Sequence, residues 1–168
     1  YENTGKSTQP IWVAKTSWNF SGASDNASAA TYADMDNDGD YDIMVGSNAG
    51  STNGTVLGYE NTGSINSPIW TAKTSWNTAD TGNGAVPAIA DLDNDGDYDL
   101  LIGTTAGTVL GYENTGSILS PTWSAKTAWN STDIGDSASP AIADLDNDGD
   151  YDLIIGDNAG QSFANENT

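Results

Sequence analysis

The pentapeptide Tyr-Glu-Asn-Thr-Gly occurs at Tyr1, Tyr59 and Tyr112, and the same order of segments follows each occurrence. A Trp-x-Ala-Lys-Thr-x-Trp stretch comes next (Trp12 to Trp18, Trp70 to Trp76, Trp123 to Trp129), then a Gly/Ser/Asn-rich stretch, then a block of aspartates. The starts lie 58 and 53 residues apart, and the second and third copies agree at about two-thirds of positions, well beyond shared composition. A chain built this way must fold as repeats of one supersecondary unit. It therefore reads as a single repeat domain over residues 1–168, with repeats at 1–58, 59–111 and 112–168. The first copy is longer, mainly around Ser51 to Gly54, which places the insertion in a loop.

Within one period the signals are β. Tyr98 to Ile102 and Thr108 to Tyr112 are short apolar runs bounded by glycine, and no segment carries a 3.6-residue periodicity. The repeat around the middle acidic block predicts four strands: Pro87 to Asp91, Tyr98 to Gly103, Thr108 to Asn114 and Trp123 to Trp129. Four short strands in roughly 50 residues suit a blade of a β-propeller, so the expected fold class is all-β, three four-stranded blades. Three blades fall short of a closed ring, which predicts either further blades or oligomerisation. The chain opens at the end of a third strand and finishes on another third strand, so open blade edges are expected to support a homo-oligomer or polymer.

The formal net charge is −20, from 24 acids against four lysines, with no histidine. Such a balance argues against nucleic acid and anionic membrane surfaces as partners and points to a cation. No apolar stretch is long enough to insert in a membrane. Cysteine is absent, which removes disulfides and thiolate chemistry. Fifteen of the 20 aspartates fall in three nine-residue blocks, and a charge so concentrated needs a local counter-ion.

Those blocks are Asp34-Met35-Asp36-Asn37-Asp38-Gly39-Asp40-Tyr41-Asp42 and its copies at Asp91 to Asp99 and Asp144 to Asp152. Carboxylates at positions 1, 3 and 5 converge when a chain curls around an ion, and glycine at position 6 permits the turn. The candidate ligands are Asp34, Asp36, Asp38, Asp40 and Asp42; Asp91, Asp93, Asp95, Asp97 and Asp99; and Asp144, Asp146, Asp148, Asp150 and Asp152. Positions 7 (Asp40, Asp97, Asp150) are expected to offer carbonyls and turn their side chains to solvent, and positions 9 (Asp42, Asp99, Asp152) to close the site. Hard oxygen donors in a flexible loop select Ca²⁺, about three ions, one per repeat. Position 12 is Val45, Ile102 or Ile155 instead of glutamate, which excludes an EF-hand.

Asp-Leu-Asp-Asn-Asp-Gly-Asp-Tyr-Asp with Leu-Leu-Ile-Gly after it, and Tyr-Glu-Asn-Thr-Gly-Ser-x-x-Ser-Pro-x-Trp downstream, resembles the FG-GAP/VCBS repeat, related to the blades of integrin α-subunit propellers. The resemblance covers essentially the whole chain. It implies a Ca²⁺-binding loop between the first two strands of each blade, and an extracellular or cell-surface adhesion or recognition module with a protein or glycan ligand.

The paired tryptophans, read as lying on one strand, point to one face and are expected to pack against the neighbouring blade, with sugar stacking as the alternative. Lys15, Lys73 and Lys126 fall on the opposite face, where an exposed, solubilising role is expected. Without histidine, cysteine or arginine, acid–base chemistry would fall to residues that recur in every repeat, and Asp25, Asp80, Asp133, Asp136 and Asp157 carry no local mark of activation. The expected function is a non-enzymatic calcium-binding scaffold. The alternatives are a self-assembling fibre or surface-layer protein and an ancillary propeller of a polysaccharide-degrading enzyme.

Overall fold

A computed structural model describes residues 1–20, 29–47 and 54–168. Asp25 and most of the insertion at Ser51 to Gly54 lie outside the described residues. Among the described residues thirteen strands form four antiparallel sheets. Strands β1 (Glu2–Asn3) and β2 (Trp12–Val13) make a two-stranded sheet. Blade I is β3 (Ala29–Ala33), β4 (Asp42–Gly46), β5 (Val56–Asn61) and β6 (Trp70–Ala72). Blade II is β7 (Val86–Ala90), β8 (Asp99–Gly103), β9 (Val109–Asn114) and β10 (Trp123–Ala125). Blade III is β11 (Ser139–Ala143), β12 (Asp152–Gly156) and β13 (Ser162–Asn165). Each full blade is a meander in chain order, so the all-β, four-stranded expectation holds. Among the described residues no closed ring is formed.

The Leu-Leu-Ile run of β8 is buried on both faces because alternate side chains serve different blades. Leu100 and Ile102 pack with Met35, Met44, Val56 and Trp76 of blade I, while Leu101 packs with Val109, Ala138 and Ile155 toward blade III. The innermost strands β3, β7 and β11 neighbour one another in that order. Pro87 and Pro140 sit in two of them, paired on one side only with Ile102 and Ile155. A missing N–H costs nothing on such an edge. Gly46 and Gly103 end the second strands, and a Cβ on either would collide with the carbonyl of Ala85 or Ala138 in the next blade. These glycines set how closely successive blades approach.

One element departs from the sequence reading. The fourth strand stops at Ala72 or Ala125, and the second tryptophan sits on a 3₁₀ turn (Thr16–Trp18, Thr74–Trp76, Thr127–Trp129). Lys15, Lys73 and Lys126 introduce that turn with ψ near +80°. The two rings of a pair are therefore not on one continuous strand face. The second is folded back over the third strand, where Gly58 and Gly111 leave room for the Cβ atoms of Trp76 and Trp129. The packing role still holds across the seams: Trp76 is fully buried, and Trp123 Nε1 donates to Trp76 O at 2.8 Å from the next blade. Trp12, by contrast, is 63% exposed.

The lysines also differ from expectation. Each pairs with the glutamate of its own Tyr-Glu-Asn-Thr-Gly segment: Lys15 Nζ with Glu2 at 2.7 Å, Lys73 with Glu60 and Lys126 with Glu113. Each also lies over the ring of Trp18, Trp76 or Trp129, 5.2 to 5.3 Å from its centre. The stem packs on the indole while the charge meets a carboxylate across β5–β6 or β9–β10, a half-buried arrangement that joins outer strand, third strand and turn.

Candidate metal centres

Each acidic block forms the loop between the first two strands of a blade, at one end of its sheet. The loop is wound by its own carboxylates. Asp34 accepts N–H groups of Asp38 and Gly39, both at 3.0 Å, and Asp38 accepts that of Asp40 at 3.0 Å. Blade II repeats this, with Asp91 holding Asp95 at 3.1 Å and Gly96 at 3.0 Å and Asp95 holding Asp97 at 2.9 Å. In blade III, Asp144 holds Gly149 at 3.2 Å, but Asp146 takes the Asp148 N–H at 3.2 Å.

Two residues per loop have positive φ. Gly39, Gly96 and Gly149 lie near +100°, as the position-6 turn requires, and Asn37, Asn94 and Asn147 lie near +60°. Asparagine is among the few side chains that tolerate that region, which explains position 4, a residue the sequence reading passed over.

Curling brings positions 1, 3 and 9 together. One carboxylate oxygen each of Asp34, Asp36 and Asp42 lie within 4.8 Å of one another, as do those of Asp91, Asp93 and Asp99 and of Asp144, Asp146 and Asp152. Position 5 (Asp38, Asp95, Asp148) spends an oxygen on the N–H of position 7 and is outside these triads, as is position 7. The Asp40 side chain, expected in solvent, is half-buried instead. Its Oδ1 and the Oδ1 of Asp36 are sealed from solvent without a hydrogen-bond partner. An orphaned oxygen on Asp36, itself a member of an all-oxygen triad, is what a bound hard cation would satisfy, so the residues present fit Ca²⁺.

Position 9 has a second task. Asp42 is 1% exposed, and its oxygens accept Asn61 N at 2.8 Å and Met35 N at 2.9 Å. Asp99 does the same with Asn114 and Leu92, and Asp152 with Asn167 and Leu145. The carboxylate thus staples the loop to the third strand. Asn61 and Asn114 extend the staple, their Oδ1 atoms accepting two N–H groups of the next turn: Gly63 and Ile69, or Gly116 and Thr122. That is the structural reason for the asparagine of the repeated pentapeptide.

The electrostatics of the cation-free loops are unfavourable. Burial pushes the Asp42 carboxyl up to about 7 and that of Asp99 to about 6, against the pull of two main-chain donors on each and with the help of neighbouring aspartates. Burial also raises Asp36, reinforced by Asp38 and Glu60, and raises Asp40. Asp152 goes the other way: the Asn167 and Leu145 N–H groups outweigh its desolvation and lower it. A divalent ion in each triad would favour the charged forms that burial opposes.

The family model described as an FG-GAP-like repeat matches residues 34–102 and 91–155, and each match runs from one acidic loop into the second strand of the following blade. Together the matches span well over half of the chain. The chain belongs to the FG-GAP-like repeat family. These FG-GAP-like repeats thus have their acidic loops in the order first strand, loop, second strand, as the resemblance implied. Comparison with curated proteins and with solved structures returned no match. Among the described residues, no helix is long and apolar enough to cross a membrane.

Proposed function

We propose that this chain is a Ca²⁺-braced β-propeller segment that serves as an extracellular adhesion or recognition scaffold and carries out no catalysis. The observation that carries the reading is the threefold recurrence of one carboxylate triad, with sealed, partnerless oxygens in blade I. Each ion would link position 1, which winds the loop, to position 9, which holds the third strand, so binding would brace a blade. Membership of a family of generally non-catalytic repeat modules supports the scaffold role, and the weak affinity usual for extracellular calcium modules suits millimolar calcium.

Calorimetric titration of the metal-stripped chain tests this. One Ca²⁺ per acidic loop, weaker binding of Mg²⁺, and the loss of one site in Asp93→Ala are expected. A stoichiometry of zero, or binding indifferent to Asp93→Ala, would reject it.

A second reading, assembly into fibres, has its own support in the unpaired outer edge of β13 and in the exposed Tyr1, Ile11, Trp12 and Val13 at the other end. Light scattering against calcium concentration separates the two, since a discrete particle at all concentrations argues for the scaffold and growth without limit for the fibre.

A further inference from the structure

The bend that leads into β7 differs from its copy in the third repeat at two positions that carry chemistry. Asn83 and Gly84 stand where that repeat has Asp136 and Ser137. Gly84 is buried at φ +65°, and a Cβ on it would lie 2.6 Å from Thr105 Cγ2, so the packing there admits only glycine. Asn83 is exposed, and its main-chain carbonyl accepts two hydrogen bonds from one residue, from Thr105 N at 3.0 Å and Thr105 Oγ1 at 2.9 Å. The equivalent carbonyl of Asp136 takes the Asn158 N–H at 2.9 Å and no hydroxyl, while the Ser137 N–H is tied to Thr105 O at 3.1 Å. Among the described residues, neither the Gly84 N–H nor the Asn83 side-chain amide has a comparable tie.

These features bear on one reaction. The side-chain amide of an asparagine is open to attack by the main-chain nitrogen of the next residue, and glycine there leaves no Cβ in the way. The nitrogen first gives up its proton to solvent base, and resonance then spreads the charge onto the carbonyl oxygen of the same peptide group. In this chain that oxygen belongs to Asn83, and both Thr105 donors already point at it. Donors fixed on an oxygen where negative charge develops stabilise that charge without reorganising.

We propose that Asn83 is a site of spontaneous self-deamidation, promoted by Thr105. The Gly84 nitrogen bonds to Asn83 Cγ and the side-chain nitrogen leaves as ammonia, which closes a cyclic imide. Water then opens either imide carbonyl and leaves aspartate or isoaspartate. Water enters and ammonia departs, with no change of oxidation state. The aspartate product matches what the third repeat already carries at Asp136. Isoaspartate instead lengthens the main chain by a methylene just before Ala85, whose carbonyl abuts Gly46 of blade I. Thr105 acts as a positioning residue, through the carbonyl of the reacting peptide group.

The test incubates the folded chain at pH 8 in millimolar Ca²⁺ and follows it by peptide-mapping mass spectrometry, which separates Asn83 from the other Asn-Gly pair, Asn53-Gly54. The Asn83 peptide is expected to gain the mass of an amide-to-acid exchange. Thr105→Val removes the hydroxyl and keeps the methyl packing, and should slow conversion about tenfold, the rate equivalent of one hydrogen bond to a charged group. Thr105→Ser restores a hydroxyl and should convert at the rate of the parent chain. In urea, where the contact is lost, all three chains should convert alike. An Asn83 peptide that stays unchanged in the folded chain overturns the proposal. So do equal folded rates for Thr105→Val and the parent, or a Thr105→Val effect that persists undiminished in urea. Melting curves confirm that each variant is folded at the incubation temperature.

Discussion

At the scale of single residues, the triad aspartates of one loop differ in whether they also hold the main chain. Asp93 contributes to a triad and makes no main-chain contact comparable to that of Asp99, whose oxygens hold Leu92 and Asn114. Truncating a buried acceptor of two N–H groups costs roughly 1.5–3 kcal/mol per hydrogen bond to a charged group. Asp99→Ala is therefore expected to lower unfolding stability by about 3 kcal/mol or more even in chelator. Asp93→Ala should lower it only when calcium is present. Urea unfolding of both variants with and without Ca²⁺ reads the difference, and equal losses in chelator would contradict the division.

The raised carboxyls of Asp42 and Asp99 give a pH dependence of definite sign. In the cation-free chain the folded state binds protons more tightly than the unfolded one, for which the ordinary value is near 3.8. Their contribution is present below pH 4 and is lost as pH rises through about 6 to 7. The metal-stripped protein should melt at a higher temperature at pH 5 than at pH 8, and saturating Ca²⁺ should reduce or reverse the trend. A cation-free melting temperature that rises from pH 5 to pH 8 would refute this. The motif spelled out the cluster, the turn glycine and the position-9 carboxylate. It did not reveal that position 5 is spent on the N–H two residues on, a local turn within the loop, or that Asp40 is half-buried.

At the scale of elements, the second and third strands were legible because their apolar runs are short and bounded by glycine. The Trp-x-Ala-Lys-Thr-x-Trp segment was misread because its alternation continues past the point where the strand ends. The signal lay elsewhere, in Gly58 and Gly111, whose missing side chains admit the returning tryptophan. Tertiary packing, not local propensity, decides the conformation. Trp76→Ala should therefore cost about 3–5 kcal/mol, the range for truncating a large buried aromatic. Lys73→Met should cost under about 1 kcal/mol, since its ion pair with Glu60 is one-third exposed and the methionine keeps the packing on the indole. Chemical denaturation of the two variants checks the ranking, and a larger loss for Lys73→Met would reverse the roles assigned here.

At the scale of the molecule, the blades share each seam through alternate residues of one strand, as Leu100, Leu101 and Ile102 do, so stability propagates from neighbour to neighbour. The threefold repeat made that architecture legible. Superimposed on the packing is the repulsion of 20 net negative charges, which three Ca²⁺ would reduce to about 14. At affinities usual for extracellular sites, millimolar calcium adds roughly 0.4–1.4 kcal/mol per site, about 1–4 kcal/mol in all. The most direct measurement is the thermal melt of the metal-stripped chain at neutral pH, recorded as Ca²⁺ is raised to millimolar and again in excess EDTA. The account predicts a melting temperature that climbs by several degrees with Ca²⁺ and returns with EDTA; a melt identical in both would contradict it.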